Sequence, residues 1–466
     1  MKILFYELNE VPWRLVDHYI KQHPKSNLAD LLNHSLQLTT VTKDSGELHP
    51  WSTWPTVHRG VYNDTHDIRF LNQEIKTSYL PYWRILAQEN INVGVFGSLQ
   101  SWPIPKDENY AFYVPDTFAP DSQTYPKYLS LFQAFNLAQT ARDGGSTPKK
   151  VPLSLNLLKD LVELTARGIT FRSLMTVGNQ LLREKLNPLV KARRSIFQSP
   201  LAFDFFYQLI QRTRPHFATF FSNHAAGMMH RYWKYTFPED FGYTLKGKED
   251  ELKRDHLTQA MNITDYQIGK LKKFADDYGY VLMIGSSMGQ EAIDRGDYVG
   301  ELRLEEFDKF YKTLGYKKPI KNNLAMQPDF AFSFNKKEDL KDFKACVSEL
   351  KTVDKKSLFT LKESGLTLNC NLQSSPELVL SGVVMYEGKR IPFRDLGIII
   401  EVRDQGTAYH CPEGIWIVYS KGLKKDQSRT RVESIKVAPT ILKMFGIKSP
   451  DYMIPAEKTV VDRVRG

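Results

Sequence analysis

The sequence contains few cysteines and no long apolar run. Its three cysteines, Cys346, Cys370 and Cys411, have no C-x-x-C spacing. An odd number of unpaired cysteines argues against a disulfide framework and against a structural zinc site. No apolar stretch approaches the ~20 residues that a membrane-spanning helix needs. The opening segment MKILFYELNEVPW becomes polar at Glu7, which is not typical of a secretory leader, so we expect a cytoplasmic protein.

The composition excludes a disordered or fibrous chain, because 42% of the residues are hydrophobic and 25% are charged. A length of 466 residues corresponds to about three domains or to one large domain with insertions. The 63 Lys and Arg residues exceed the 53 Asp and Glu residues by ten. No recognised nucleic-acid-binding module accompanies this charge, so we do not expect nucleic acid as a partner.

Part of the positive charge is local, because basic residues concentrate between Lys149 and Arg194. Two interpretations of this segment stay open. It is either a solvated helical face or a basic surface that attracts an anionic substrate or makes a peripheral contact with an anionic surface.

Short apolar runs of the kind found in buried parallel strands recur along the chain, with helical periodicity between many of them. The predicted strands are Lys2–Leu8, Val93–Phe96, Phe217–Phe221, Tyr280–Ile284, Ile398–Val402 and Ile415–Tyr419. The predicted helices include Tyr82–Glu89, Glu251–Tyr278 and Ser434–Phe445. This alternation predicts an α/β fold with a mainly parallel central sheet flanked by helices. In such a fold, ligands bind beyond the carboxyl ends of the strands.

Two segments interrupt the alternation. Residues 119–214 are mostly helical in pattern and predict a helical cap insertion, which includes a helix over Leu155–Leu164. Residues 318–393 carry short β-like runs and predict a smaller α+β insertion. The discontinuous core would then consist of residues 1–118, 215–317 and 394–466.

Polar residues cluster at four places where a core strand should end. These are Asn9 and Glu10 after the first strand, the stretch 46–60, the stretch 222–233, and the stretch 285–291 together with 406–410. Six of the eleven histidines lie in or directly after these stretches: His49, His58, His66, His224, His230 and His410.

The ordered set of motifs resembles the alkaline phosphatase superfamily, on its type I phosphodiesterase/nucleotide pyrophosphatase side. The matching segments are Lys2–Trp13, Trp54–Ile68, Val93–Pro103, His230–Tyr235, Tyr280–Gly289, Gly406–Gly414 and Val437–Leu442. The resemblance implies an alkaline-phosphatase-like fold. It also implies cleavage of phosphate or sulfate esters by a Thr, Ser or modified Cys nucleophile beside two divalent metals.

The residues at the family's metal positions differ from the family pattern. At the positions where the resemblance implies Asp or His metal ligands, this chain has Asn9, Ser287 and Met288, and either Ala226 or Asn223. At the position of the family's nucleophile it has Pro50. Only His230 and His410 match, and a two-metal site needs more than three protein ligands. We therefore expect a diverged member with a metal-poor or metal-free site and no cofactor. A single divalent metal on His230, His410 and His224 is the alternative.

We therefore expect an enzyme that hydrolyses or transfers a small anionic substrate, either a phosphate ester or a nucleotide-sugar type of molecule. A Glu–His pair supplies a general base, and a hydroxyl beside it supplies a nucleophile. The candidate catalytic residues are Glu10, Glu47, Ser52, His230 and His410. The candidate substrate-binding residues, which offer cations, hydroxyls or amides to an anion, are Asn9, His49, Thr53, Arg59, Asn223, His224, Arg231, Ser287 and Gln290.

Two other functions fit the same residues. A catalytically inactive protein that binds a phosphorylated ligand would explain the lost metal ligands, and a single-metal phosphodiesterase would retain turnover. Structural roles also compete with the functional ones: Ser52 and Thr53 could cap a helix, and His230 could be an interior histidine.

Overall fold

The structure is a computed structural model of the chain. It describes residues 1–71, 73, 75–105, 109–143, 168–294, 296, 300–323, 325, 329–372, 375–401 and 406–465. The predicted helix Leu155–Leu164, the basic residues between Lys149 and Arg167, and Val402 lie outside the described residues.

Strands and helices alternate along most of the described chain. The strands are β1 (Ile3–Leu8), β2 (Ser35–Val41), β3 (Val93–Phe96), β4 (Tyr110–Val114), β5 (Phe217–Ser222), β6 (Val281–Gly285), β7 (Gly289–Ala292), β8 (Glu301–Leu304), β9 (Lys321–Asn323), β10 (Phe330–Ser333), β11 (Phe359–Ser364), β12 (Thr367–Leu372), β13 (Val383–Tyr386), β14 (Lys389–Pro392), β15 (Ile398–Glu401), β16 (Ala408–Cys411), β17 (Glu413–Tyr419) and β18 (Asp426–Glu433). The α-helices are α1 (Trp13–Gln22), α2 (Asn27–Leu32), α3 (Pro50–Arg59), α4 (Asn63–His66), α5 (Tyr82–Gln88), α6 (Ser130–Asp143), α7 (Phe171–Leu186), α8 (Gln198–Thr213), α9 (His224–Thr236), α10 (Gly247–Tyr278), α11 (Phe307–Thr313), α12 (Lys337–Ser348), α13 (Pro376–Ser381), α14 (Val437–Phe445) and α15 (Lys458–Arg465).

The central sheet has eight strands in the order β18–β2–β17–β6–β1–β5–β3–β4. All of them run in one direction except β17, which is antiparallel to both β2 and β6. The predicted α/β fold with a mainly parallel sheet is therefore confirmed. No helix in the described part of the chain is both long enough and apolar enough to cross a membrane.

Helices cover both faces of the sheet because the side chains of each strand alternate between the faces. In β1, Leu4 and Tyr6 belong to a hydrophobic cluster with side chains of α9 and α10. Ile3 and Phe5 belong to a second cluster, on the other face, that contains the fully buried Trp54 of α3. Burial of each large side chain contributes roughly 1.5–3 kcal/mol, so the two clusters hold β1 firmly in the middle of the sheet.

The described part of the predicted cap is helical and comprises α6, α7, a 3-10 helix (Pro188–Phe197) and α8. Its buried side chains, among them Phe132, Ile196 and Phe206, share the cluster that covers one face of the sheet. These helices therefore pack directly on the central sheet.

A third hydrophobic cluster extends from Leu302 to Ile398 and surrounds a separate four-stranded sheet in the order β11–β12–β10–β9. The antiparallel pair of β8 and β15 flanks this unit, with Leu304 opposite Ile398. The prediction that Ile398–Val402 is a strand of the central sheet is therefore wrong. The apolar run does form a strand, but its partner is β8. The insertion bounds 318–393 stay a prediction, and the buried cluster reaches beyond them on both sides.

Candidate functional site

The candidate site lies at the carboxyl ends of the neighbouring strands β6, β1 and β5. The parallel register places Leu8 opposite Ser222, so the following residues, Asn9 and Asn223, lie side by side. The Nδ2 atom of Asn9 donates to the Oδ1 atom of Asn223 at 2.6 Å. Adjacent parallel strands end at a common edge, and this edge is where the polar residues meet.

Glu10 follows directly and points its buried carboxylate into the same edge. Its backbone φ of 62° lies in the left-handed region, which costs a non-glycine residue roughly 1–3 kcal/mol. Two amides hold the carboxylate: Asn9 Nδ2 donates to Oε1 at 2.8 Å, and Gln290 Nε2 donates to Oε2. The turn is held in addition by Ser286, whose hydroxyl donates to the carbonyl oxygen of Leu8 at 2.6 Å.

Two histidines from distant segments converge on the same carboxylate oxygen. His410 lies on β16 opposite Gln290 of β7, and His230 lies on α9. Glu10 Oε2 is 3.1 Å from His230 Nε2 and 3.4 Å from His410 Nε2. These three residues are called the Glu10–His230–His410 cluster below.

The hydrogen bond of His230 to the backbone determines what its other nitrogen can do. The Nδ1 atom of His230 lies 2.9 Å from the carbonyl oxygen of Ala408, so Nδ1 carries a proton and donates it. In the neutral ring, Nε2 is then an acceptor that faces the acceptor oxygen of Glu10. Two acceptors at that distance repel each other unless a proton or a cation lies between them.

The charges within the cluster stabilise one another. Burial alone would raise the pKa of Glu10, but His410 and His230 hold that pKa well below its usual range. Burial would likewise lower the pKa of His410, but the adjacent Glu10 carboxylate raises it. An ionised Glu10 beside a protonated His410 is therefore the favoured state in the absence of another cation.

The cluster also fits one divalent cation. One ligand atom from each residue lies within 4.8 Å of the others, and two imidazoles with one carboxylate are a known set of three protein ligands for zinc. The backbone hydrogen bond of His230 orients its ring as metal ligands are usually oriented, and among the described residues neither ring nitrogen of His410 makes a hydrogen bond of ordinary geometry. No second group of three such ligands lies among the described residues.

Glu47, His49 and Ser52 lie beside the cluster rather than in it. His49 precedes α3, stacks on Trp51 with 4.4 Å between ring centroids, and meets the ring of His410 edge-on at 5.9 Å. Burial lowers the pKa of His49 to about 4, although Glu47, 3.7 Å away, opposes that shift. These three residues line a cavity of about 280 Å³.

The remaining predicted residues on the central edge are engaged with each other or exposed. Thr53 and Ser287 share a buried hydrogen bond of 2.8 Å between their hydroxyls. Asn223 is exposed at the mouth of the site, and Arg231 is exposed on α9 next to His230.

The structure does not bring His224 and Arg59 to the cluster. The ring nitrogens of His224 lie 2.8 Å from the Ser222 hydroxyl and 2.9 Å from the Thr264 hydroxyl, and burial lowers its pKa to about 4. Arg59 is the last residue of α3, roughly 13 Å along the helix axis from its start, and burial lowers its pKa to about 10. The cluster's third candidate metal ligand is Glu10 instead of His224.

Sequence reasoning missed the side chains that support the cluster. Trp54 lies in a hydrophobic cluster, and its Nε1 also donates to Asn9 Oδ1 at 2.8 Å. Tyr409 donates its hydroxyl proton to Glu47 and lies against the ring of His410. Only the position of Tyr409 next to a candidate histidine could have indicated it. The far wall of the cavity, formed by the second insertion, left no signal in the sequence.

No model of a known protein family matches the chain, and no curated protein matches it. Several solved structures are similar over nearly its whole length. Murine ectonucleotide pyrophosphatase/phosphodiesterase 5 is 10% identical, the match covers 99% of this chain and 100% of that chain, and the TM-score is 0.43. A phosphonoacetate hydrolase from Sinorhizobium meliloti 1021, in complex with phosphonoacetate, is 11% identical over 94% of each chain, with a TM-score of 0.42. Alkaline phosphatase PafA is 14% identical over 98% of each chain, with a TM-score of 0.43. Likenesses this distant do not define the chemistry, which has to be argued from the residues of the site.

Proposed function

We propose that this chain is a diverged member of the alkaline phosphatase superfamily that cleaves or transfers a phosphate ester of a small molecule. Its reaction centre would be the Glu10–His230–His410 cluster, a metal-poor or metal-free site with at most one divalent cation. The convergence of two imidazoles on one buried carboxylate oxygen, at the ligand-binding edge of the sheet, carries the proposal. The order of the motifs along the chain supports the family assignment.

The cluster has the parts that ester cleavage needs. The Nε2 atom of His230, 3.1 Å from the Glu10 carboxylate, can exchange a proton with a leaving-group oxygen or with water. A protonated His410 and the amide of Asn223 offer donors to a phosphate group. When a divalent cation is bound to the three residues, it supplies Lewis-acid polarisation of a phosphoryl oxygen.

Ser52 remains the first candidate nucleophile. It lies in the first turn of α3, lines the cavity, and accepts only a long hydrogen bond of 3.4 Å from Asn63 among the contacts described. The hydroxyl of Thr53 is bonded to Ser287 and is fully buried, so Ser52 is the more available of the two.

The decisive experiment compares hydrolysis of 4-nitrophenyl phosphate and bis(4-nitrophenyl) phosphate by wild-type protein, Glu10→Gln and Glu291→Gln. Loss of general acid–base catalysis predicts a fall in rate of about 10²-fold or more for Glu10→Gln. Glu291 is an exposed residue on β7 that the proposal does not use, so Glu291→Gln is the matched control and should stay within about twofold. Melting temperatures of the three proteins show whether the substitutions preserve the fold.

A chelator and elemental analysis separate the versions of this proposal. Activity that persists with the chelator supports the metal-free site. Activity that is lost and then restored by one equivalent of cation per chain supports the single-cation site. A requirement for two bound metals per chain, or no cleavage of either ester, would overturn the proposal.

A further inference from the structure

The cavity beside the cluster has walls from two different units of the fold. One wall is the start of α3 and the loop before it, with His49, Trp51 and Ser52. The opposite wall is the second sheet, which contributes Asp329 and residues of β11 and β12. The second insertion therefore closes one side of the site.

The alternation of side chains along β12 explains the polarity of this wall. Leu368, Cys370 and Leu372 are buried in the third hydrophobic cluster, so the residues that alternate with them face the other way. Two of these, Asn369 and Asn371, line the cavity. Asn371 Nδ2 donates to Asp329 Oδ1 at 2.5 Å, and the wall thus presents a carboxylate paired with an amide.

Positive charge and aromatic rings complete the cavity. The Nζ atom of Lys362 on β11 lies 5.7 Å above the ring centroid of Phe70. One face of Trp51 is covered by His49, with only 10° between the ring planes, and its Nε1 donates to the carbonyl oxygen of Arg69.

His49 lies between the cavity and the reaction centre, because it lines the cavity and its ring also contacts the ring of His410. A substrate whose phosphate lay at the cluster, and whose other end passed His49 into the cavity, would reach Asp329 and Asn371. The volume of about 280 Å³ lies at the lower end of ligand pockets, which span ~300–1,000 Å³, and suits one ring-sized group.

We propose that this cavity is the subsite for the sugar ring of a sugar phosphate, with Asp329 and Asn371 binding its hydroxyl groups. Each sugar hydroxyl both donates and accepts, and a carboxylate beside an amide offers both complementary functions. Burial raises the pKa of Asp329 to about 6, and the hydrogen bond from Asn371 and the charge of Lys362 oppose that rise, so the carboxylate is an acceptor at neutral pH. The inference rests on the proposed function only in placing the phosphate end at the cluster.

Calorimetric titration of the full-length chain carrying Glu10→Gln, in which ester turnover is expected to be slow, tests this subsite. The probes are glucose, galactose and mannose 1-phosphates, AMP and inorganic phosphate. We expect at least one hexose phosphate to bind about tenfold more tightly than inorganic phosphate or AMP. Asp329→Asn should reduce that preference about tenfold, the effect of one lost hydrogen bond to a charged group, and Asn371→Ala should reduce it less, because the amide is neutral. Both variants should leave the affinity for inorganic phosphate unchanged.

Lys389→Ala, an exposed position on β14 of the same insertion, is the control and should change none of these affinities. The inference is overturned if AMP binds best, if no hexose phosphate exceeds inorganic phosphate, or if Asp329→Asn keeps the preference. Because binding is measured without turnover, a sugar phosphate preference in a chain that cleaves no ester would refute the proposed function and leave the subsite standing.

Discussion

At the scale of single residues, Asn9 determines how much negative charge the site carries. Its Nδ2 atom donates to Glu10 and to Asn223, and its Oδ1 atom accepts from Trp54. An amide can donate and accept at once, whereas an ionised carboxylate can only accept. The amide therefore suits a site in which Glu10 is the one buried carboxylate. An aspartate at this position would add a second negative charge and would suit a site that binds more metal ions.

Asn9→Asp should destabilise the metal-free protein by about 1–3 kcal/mol, because it removes the donor to Glu10 and buries a second carboxylate next to the first. Added Zn²⁺ or Mn²⁺ should raise the melting temperature of this variant more than that of the wild type. Thermal melting with chelator and with metal measures both effects. Asn179→Asp, at an exposed position on α7, is the control. Equal melting temperatures of Asn9→Asp and wild type in chelator would contradict this account of Asn9.

At the scale of elements, the site depends on how closely β17 passes the segment that joins β6 to β7. A Cβ atom added to Gly289 would overlap the carbonyl oxygen of Glu413, and one added to Gly414 would lie 2.6 Å from the carbonyl oxygen of Ser286. The backbones are therefore in contact at both glycines. This contact places β7, and with it Gln290, against Glu10.

Gly289→Ala should push β7 away from β17, cost about 1–3 kcal/mol of folding free energy, and weaken the bond between Gln290 and Glu10. Gly178 lies inside α7 with open space where a Cβ would be, so Gly178→Ala should instead stabilise the protein by about 0.5–1 kcal/mol. Urea denaturation of the two variants measures the difference. If Gly289→Ala were as stable as wild type, the close approach of β7 and β17 would be refuted.

The elements also differ in how well their sequences revealed them. The strands β1 and β3 are short, almost wholly apolar runs, and both were predicted within a residue of their bounds. The buried strand β2 carries Gln37 and three hydroxyl residues, and β18 is a mostly exposed edge strand rich in charge, so neither has the apolar pattern of a core strand. Their places in the sheet follow from pairing with β17 and with each other.

At the scale of the whole molecule, the fold keeps several histidines neutral. Burial lowers the pKa of His66 to about 3 and the pKa values of His224 and His256 to about 4. His66 shows why: its Nδ1 accepts the backbone N–H of Ile68 at 3.0 Å, and its Nε2 lies 3.0 Å from the hydroxyl of Thr56. A protonated ring could not accept the first of these bonds.

The stability of the protein should therefore fall as the pH decreases from about 6.5 toward 4. Unfolded histidines titrate near pH 6.5 and bind protons that the buried rings do not, so each such group costs about 1.4 kcal/mol per pH unit in this range. Burial raises the pKa values of Asp116 and Asp329 to about 6, so these two groups act in the opposite direction and offset part of the slope. The raised pKa of His410 acts outside this range, because its stabilisation is complete below pH 6.5 and is lost only as the pH rises further. Urea denaturation at pH 8, 6.5 and 5 measures the slope.

His66→Gln should reduce the slope of unfolding free energy against pH by about 1.4 kcal/mol per pH unit, which is the contribution of one proton. His34→Gln, at an exposed position, should not change the slope. Stability that is constant between pH 6.5 and 5 would contradict the neutral, buried state of these rings.

The sequence by itself determined the α/β class, the mainly parallel sheet and the segments that carry Glu10, His230 and His410, because apolar runs and polar strand ends are local patterns. It did not determine which of these side chains meet. Glu10 and His230 are separated by 220 positions in the sequence. Only the register of β1 with β5 and of β7 with β16 brings His230 and His410 to the same carboxylate oxygen of Glu10. The position of the wall that contains Asp329 and Asn371 likewise depends on the tertiary structure. The sequence of a strand does not indicate which distant part of the chain that strand will pack against.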